Sequence, residues 1–113
     1  MALLCIRNTQ TIQRQGGKMK LADFELLETD MPKGVQAVLD FGAYHLSIIN
    51  NEVSYGNKQG LYEIAVFDNS SEQVNLPGIT DDNDTVKGWL TESDIDAIIK
   101  KMYTITGTTP RQI

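Results

Sequence analysis

Trp89-Leu90-Thr91-Glu92-Ser93-Asp94-Ile95-Asp96-Ala97-Ile98-Ile99-Lys100-Lys101-Met102-Tyr103 is the segment in which a start signal and an apolar stripe agree, with a stop signal just beyond it. It reads as an amphipathic helix. Thr91 precedes Asp94 by three residues, the spacing of a capping box, in which the hydroxyl serves the Asp94 amide and the carboxylate reaches back to the Thr91 amide. Leu90 and Ile95 have the spacing of a hydrophobic staple. Ile95, Ile98, Ile99 and Met102 recur at i, i+3, i+4 and i+7, so they form one stripe that another element must cover. Covering it contributes roughly 6–12 kcal/mol as an upper bound, at about 1.5–3 per large side chain. Gly107 and then Pro110 provide the stop.

Upstream, the hydrophobic period changes from that of a helix to that of strands. Leu21 to Glu28 alternates Ala22, Phe24 and Leu26 with Asp23 and Glu25, which predicts a first strand. Asp30-Met31-Pro32-Lys33-Gly34 is a turn. Val35 to Phe41 predicts a second strand with Val35, Ala37, Leu39 and Phe41 on one face. Gly42-Ala43 suits a two-residue hairpin that wants glycine first. Tyr44, Leu46 and Ile48 continue the apolar face along a third strand, with His45 and Ser47 opposite. Asn50 to Gly60 reads as the longest internal loop, a flexible connection between strands whose tip, with Tyr55 and Lys58, could contact a partner. Leu61 to Asp68 is apolar on nearly both faces and predicts a central strand. Glu72 to Leu76 predicts a shorter strand with Val74 and Leu76 inward, ended by Pro77-Gly78. Val86 to Leu90 is either a further short strand or a lead into the helix. The fold class is therefore α+β: a mostly antiparallel meander of about five strands with one C-terminal helix packed on one face. The face bearing Phe24, Leu39, Leu46, Ile64 and Val74 is the expected partner of the helix.

At 113 residues and 41% hydrophobic, the chain has room for one modest core. Residues 19–106 are expected to form that single domain, with a flexible tail over 107–113. Residues 1–18 lack sustained periodicity and read as a disordered leader, or as an extension upstream of the biological start. Gln15-Gly16-Gly17-Lys18-Met19 can be encoded by bases that spell a purine-rich ribosome-binding site before an ATG, which favours Met19 as that start. Arg7, Arg14 and Lys18 give this leader +3, whereas the remainder carries seven basic and fifteen acidic residues, a net of −8. So acidic a body repels phosphate backbones and anionic membranes and favours basic protein surfaces, so neither direct nucleic-acid binding nor membrane association is expected. Cys5 is the only cysteine, so an intrachain disulfide is excluded. The apolar run Ala2 to Ile6 is too short for a signal-peptide core, and the expected compartment is the cytoplasm.

Residues that could carry chemistry are sparse. Asp40, Tyr44 and His45 surround the predicted hairpin, and an acid–histidine pair is the minimum equipment for general acid–base work, but a cross-strand pair such as Asp40 and His45 more often forms a surface ion pair. Asp81, Asp82 and Asp84 invite a calcium reading, yet the EF-hand glycine and distant glutamate are not in place, so an exposed acidic turn is the better account. Gly56-Asn57-Lys58-Gln59-Gly60 lacks the Walker spacing and a following helix. One histidine and one cysteine cannot supply a zinc site, and no cofactor is expected. Trp89 reads as core rather than as an interaction anchor. Glu92, Asp94 and Asp96, at the exposed start of the helix, are expected beside Asp81, Asp82 and Asp84 at one end of the molecule. These six acids are the candidate protein-binding residues.

Gly60-Leu61-Tyr62-Glu63-Ile64-Ala65-Val66-Phe67, Pro77-Gly78-Ile79-Thr80 and Gly88-Trp89-Leu90-Thr91-Glu92-Ser93-Asp94-Ile95 together resemble the small accessory proteins of enterobacterial phages and prophages. The resemblance is to a type of protein, covers residues 19–113 and brings no site residue with it. It implies a non-enzymatic accessory protein that engages another protein, here through an acidic surface and a basic partner. Two alternatives stand beside it: a homodimer or larger assembly pairing through an edge strand, and a small enzyme using Asp40 and His45.

Overall fold

The computed structural model describes residues 19–113; the leader and its proposed start lie outside the described residues. Five strands run in sequence order, β1 (Leu27–Asp30), β2 (Lys33–Asp40), β3 (Tyr44–Asn51), β4 (Tyr62–Asp68) and β5 (Val86–Leu90), each antiparallel to its neighbour. Helix α1 (Glu92–Thr106) follows, then a short strand β6 (Arg111–Gln112). The α+β meander with a C-terminal helix is thus the observed architecture.

The helix starts where its capping box places it. The Thr91 Oγ1 accepts from the Asp94 N–H at 3.1 Å, and the Thr91 N–H donates to the Asp94 carboxylate at 3.0 Å. Gly107 ends it at a φ of +70°, its N–H donating to the Tyr103 carbonyl. The stripe of Ile95, Ile98, Ile99 and Met102 is buried against the sheet face that carries Leu39, Leu46, Ile48, Ile64 and Val66. Direct cross-strand pairing makes that face continuous: Leu39 opposes Leu46, Leu46 opposes Val66, and Ile48 opposes Ile64. Phe24 and Val74 pack at its margins. Gly42 takes a φ of +85° in the two-residue hairpin between β2 and β3, a conformation that favours glycine.

Four expectations are corrected by tertiary contacts. The first strand does not begin at Leu21. Residues Leu21–Asp23 form a 3-10 turn, because the Asp23 carboxylate accepts from the Met19 and Lys20 amides, and Leu21 is buried against the helix. Residues 72–76 are not a strand: they make one isolated bridge, between Gln73 and Phe67. Glu72 and Val74 bond the end of β4, through the Asp68 N–H to the Glu72 carbonyl and the Val74 N–H to the Val66 carbonyl. The Leu76 N–H then donates to Thr80 Oγ1 and the Asn75 side-chain amide to the Asp81 carbonyl, so the chain turns into its own loop and no ladder continues. The place beside most of β4 belongs to β5 instead, so β4 is flanked on both sides, as its apolar faces predict, and β3 lies in the middle of the sheet.

Residues 107–113, expected as a flexible tail, are docked. β6 pairs with Leu39 and Asp40 of β2, the Ile113 N–H donates to the Val38 carbonyl, and Pro110 is buried. β1 occupies the same edge of β2 further along, from Lys33 to Gln36, so the two short strands lie end to end. The Glu25 N–H donates to the Gln112 side chain at 2.8 Å where they meet. Finally, Trp89 is 58% exposed rather than core. Between the pairs Ile64 with Lys87 and Tyr62 with Leu90, Gly88 and Trp89 together face Glu63, a β-bulge that carries Trp89 at a φ of +61°.

Candidate interaction surface

Antiparallel order sorts the connections to two ends of the sheet. The β1–β2 turn, the β3–β4 loop and the β5–α1 junction share one end; the β2–β3 hairpin, residues 69–85 and the end of the helix share the other. The first end exposes Met31 (93%), Val53 (73%), Tyr55 (60%) and Trp89. Tyr103, Ile105 and Ile113 are exposed toward the other end, and exposed apolar side chains scattered singly are ordinary; what sets the first end apart is that Tyr55 and Trp89, its most bulky members, line one concavity.

The loop beneath them is held by its own polar groups. The Asn51 N–H donates to Ser54 Oγ at 2.9 Å, the Val53 N–H to Asn51 Oδ1 at 3.0 Å and the Asn50 side-chain amide to the Leu61 carbonyl at 2.9 Å. The Tyr55 N–H donates to the Glu63 carboxylate at 2.9 Å. The loop read as flexible is thus a fixed platform, and its side chains, not its backbone, are what it offers outward. Paired bonds between Lys33 and Glu52, at 2.9 and 3.0 Å, tie the Met31-Pro32 turn to it. Tyr55 and Trp89 meet through glycines. A Cβ at Gly88 would lie 2.5 Å from the Tyr55 Cβ, and one at Gly56 would lie 3.2 Å from the Trp89 Cα. Trp89 closes a pocket of about 250 Å³ whose other wall is Tyr55 to Gln59. Its backbone sits in the left-handed region, a costly setting for a bulky residue, held here by the bulge and by the loop packed on it.

The six candidate acids are divided between the ends. The Asp81 N–H donates to the Val86 carbonyl at the start of β5, whereas Glu92 follows the end of that strand. Five residues of strand separate the groups by roughly 16 Å at about 3.3 Å per residue. The returning helix instead brings Lys101 beside the acidic loop, its Nζ 3.3 Å from the Gly78 carbonyl. Three of the six carboxylates accept backbone bonds: Asp94 in the capping box, Asp96 from the Leu21 N–H at 2.8 Å, and Asp84 from the neighbouring Thr85 N–H at 2.7 Å. The Thr91 amide, above all, holds the Asp94 carboxyl below its ordinary value. Asp81, Asp82, Asp84 and Glu92 are exposed.

Asp40 and His45 are direct cross-strand partners at the far end, 3.5 Å apart. The same Asp40 carboxylate accepts from the Gly42 N–H at 2.7 Å and lies 3.4 Å from the Arg111 guanidinium. The Gly42 bond, with smaller help from His45 and Arg111, holds this carboxyl below its ordinary value despite some desolvation. A carboxylate so occupied is a bracket between the hairpin and β6; as a general base it would first have to give up these partners.

The sequence offered one signal for the exposed end: Tyr55 in a polar loop. It offered none for Trp89, because an aromatic residue before a staple is read inward until the bulge is known. Fold and surface define a small sheet-and-helix module with an apolar end. A comparison with protein-family models, curated proteins and solved structures finds no match. No helix among the described residues is long and apolar enough to cross a membrane.

Proposed function

We propose that this protein is a non-enzymatic accessory module that binds another protein through the end of its sheet bearing Met31, Val53, Tyr55 and Trp89. One observation carries the reading: these large apolar side chains stand in solvent on a hydrogen-bonded platform. Exposed apolar anchors on a hydrogen-bonded backbone suit association, since little backbone entropy remains to be lost on binding. The resemblance to phage and prophage accessory proteins supports the same role, with a phage or host protein as partner.

Division of the acids between two ends lowers the support for a single acidic binding face. Edge pairing between copies through β5 also has less support, because the bulge at Gly88 and Trp89 interrupts that strand and a bulged edge opposes regular strand addition.

A benzophenone photo-cross-linker placed at position 55 in the living host tests the reading. It is expected to give one discrete adduct that the same group at exposed Thr104, at the far end, does not give. Equal adducts from both positions, or none from position 55, would overturn it.

A further inference from the structure

Trp89 also walls a second concavity, a groove of about 380 Å³ between the outer edge of β5 and helix α1. Leu90, Ala97 and Ile98 give it an apolar lining, of which Leu90 and Ile98 are buried, and Lys87, Asp94 and Lys101 add charged groups. These lysines are the feature that asks for a ligand. The body of the protein is strongly acidic, yet the ion pairs among the described residues both belong to Asp40, so neither lysine is in direct contact with a carboxylate, although the charge of Lys87 reaches Asp94 in the same groove. Lys101 is held in place by the Gly78 carbonyl, which engages one of its three donors. The carboxylate within the groove, that of Asp94, is turned to the Thr91 amide.

We propose that this groove receives an acidic peptide segment of the partner, with an apolar side chain on the lining at Ala97 and Ile98 and carboxylates against Lys87 and Lys101. The inference rests on the protein-binding reading and deepens it by giving the partner's chemistry. The groove's volume suits a segment of about two or three residues rather than a folded surface. An extended segment along a strand edge usually gains affinity from a run of backbone bonds. Here the bulge at Gly88 and Trp89 breaks that run, so the side chains must select the ligand, and charge sets its sign. Continuity with the exposed end follows from Trp89, which faces both concavities.

Trp89 is the chain's one tryptophan, so its emission reports occupancy of the groove directly. The full chain is titrated with a blocked Glu-Val-Glu-Leu-Glu peptide and with its Lys-Val-Lys-Leu-Lys counterpart. The acidic peptide is expected to give a saturable change in emission that weakens with salt, and the basic one none. Lys87→Glu with Lys101→Glu should weaken the acidic peptide by about tenfold or more and admit the basic one. Lys87→Met with Lys101→Met, which adds no new charge, should weaken the acidic peptide alone; circular dichroism reports folding of both variants. No saturable change, equal binding of the two peptides, or indifference to both double variants overturns the inference. An adduct from position 55 without peptide binding removes the groove while leaving the protein-binding reading intact; loss of both removes both.

Discussion

The Leu21 N–H donates to the Asp96 carboxylate at 2.8 Å, joining residues 75 positions apart. The second turn of the helix thereby holds the entry of the chain against the core. Asp96→Ala is expected to cost about 1–2 kcal/mol, the range for a partly buried bond to a charged acceptor. Urea denaturation measures it, and an unchanged midpoint would leave the contact without energetic weight.

Asp40 brackets the hairpin and β6, and its carboxyl is held below the ordinary value of 3.8, chiefly by the Gly42 amide. A carboxyl depressed in the folded state adds stability above its unfolded value and loses it as pH falls through the folded one. Asp40→Asn should therefore destabilise at neutral pH, by about 1 kcal/mol or less for a half-buried carboxylate near the surface. The gap to the parent should close as pH falls below 3.8. Denaturation curves at neutral and acid pH check the sign; a gap that widens in acid would contradict it.

Thr91 caps the helix that closes the core. Thr91→Ala is expected to cost about 1 kcal/mol, and Thr91→Ser to restore most of it. Thermal melts of the two variants decide whether the hydroxyl, rather than the methyl, carries the effect.

Trp89 sits at a φ of +61°. Glycine adopts that conformation freely, so Trp89→Gly should be more stable than Trp89→Ala by about 1 kcal/mol. Both should lose the adduct at position 55. A stability order reversed between them would mean that the bulge relaxes once the indole is gone.

Gly88 lies against Tyr55, where a methyl group would have to displace the loop. Gly88→Ala should cost about 1–3 kcal/mol by overpacking and shift the Trp89 emission. Unchanged emission would show that the loop and the bulge are not coupled.

Helix α1 was legible in full because its signals are local. A cap, its partner three residues on and a stripe of period 3.6 are satisfied within the segment itself, whatever lies outside it. The β2–β3 hairpin was legible for the same reason, through Gly42-Ala43. The apolar strand face needed only alternation. The loop bearing Tyr55 could be located but not its rigidity, which depends on side-chain amides closing bonds to carbonyls up to eleven residues away.

Where two segments compete for one neighbour, pattern alone did not decide. Residues 72–76 and 86–90 both carry strand-like alternation, and only the tertiary structure shows that the first touches β4 at its end before Asn75 and Leu76 turn it into a loop, while the second pairs along it. Asp96 could not be told from a solvent-facing acid without the Leu21 amide that meets it.

By itself, then, the sequence determined the class of fold, the helix with its cap and buried stripe, and the hairpin at Gly42, since each is encoded within a few neighbouring residues. Tertiary structure alone decided the fifth strand, the docking of residues 107–113 on β2, the division of the acids and the outward turn of Trp89. Each of these depends on a partner distant in the chain, and a one-residue bulge reverses which way a strand side chain points without altering the pattern around it.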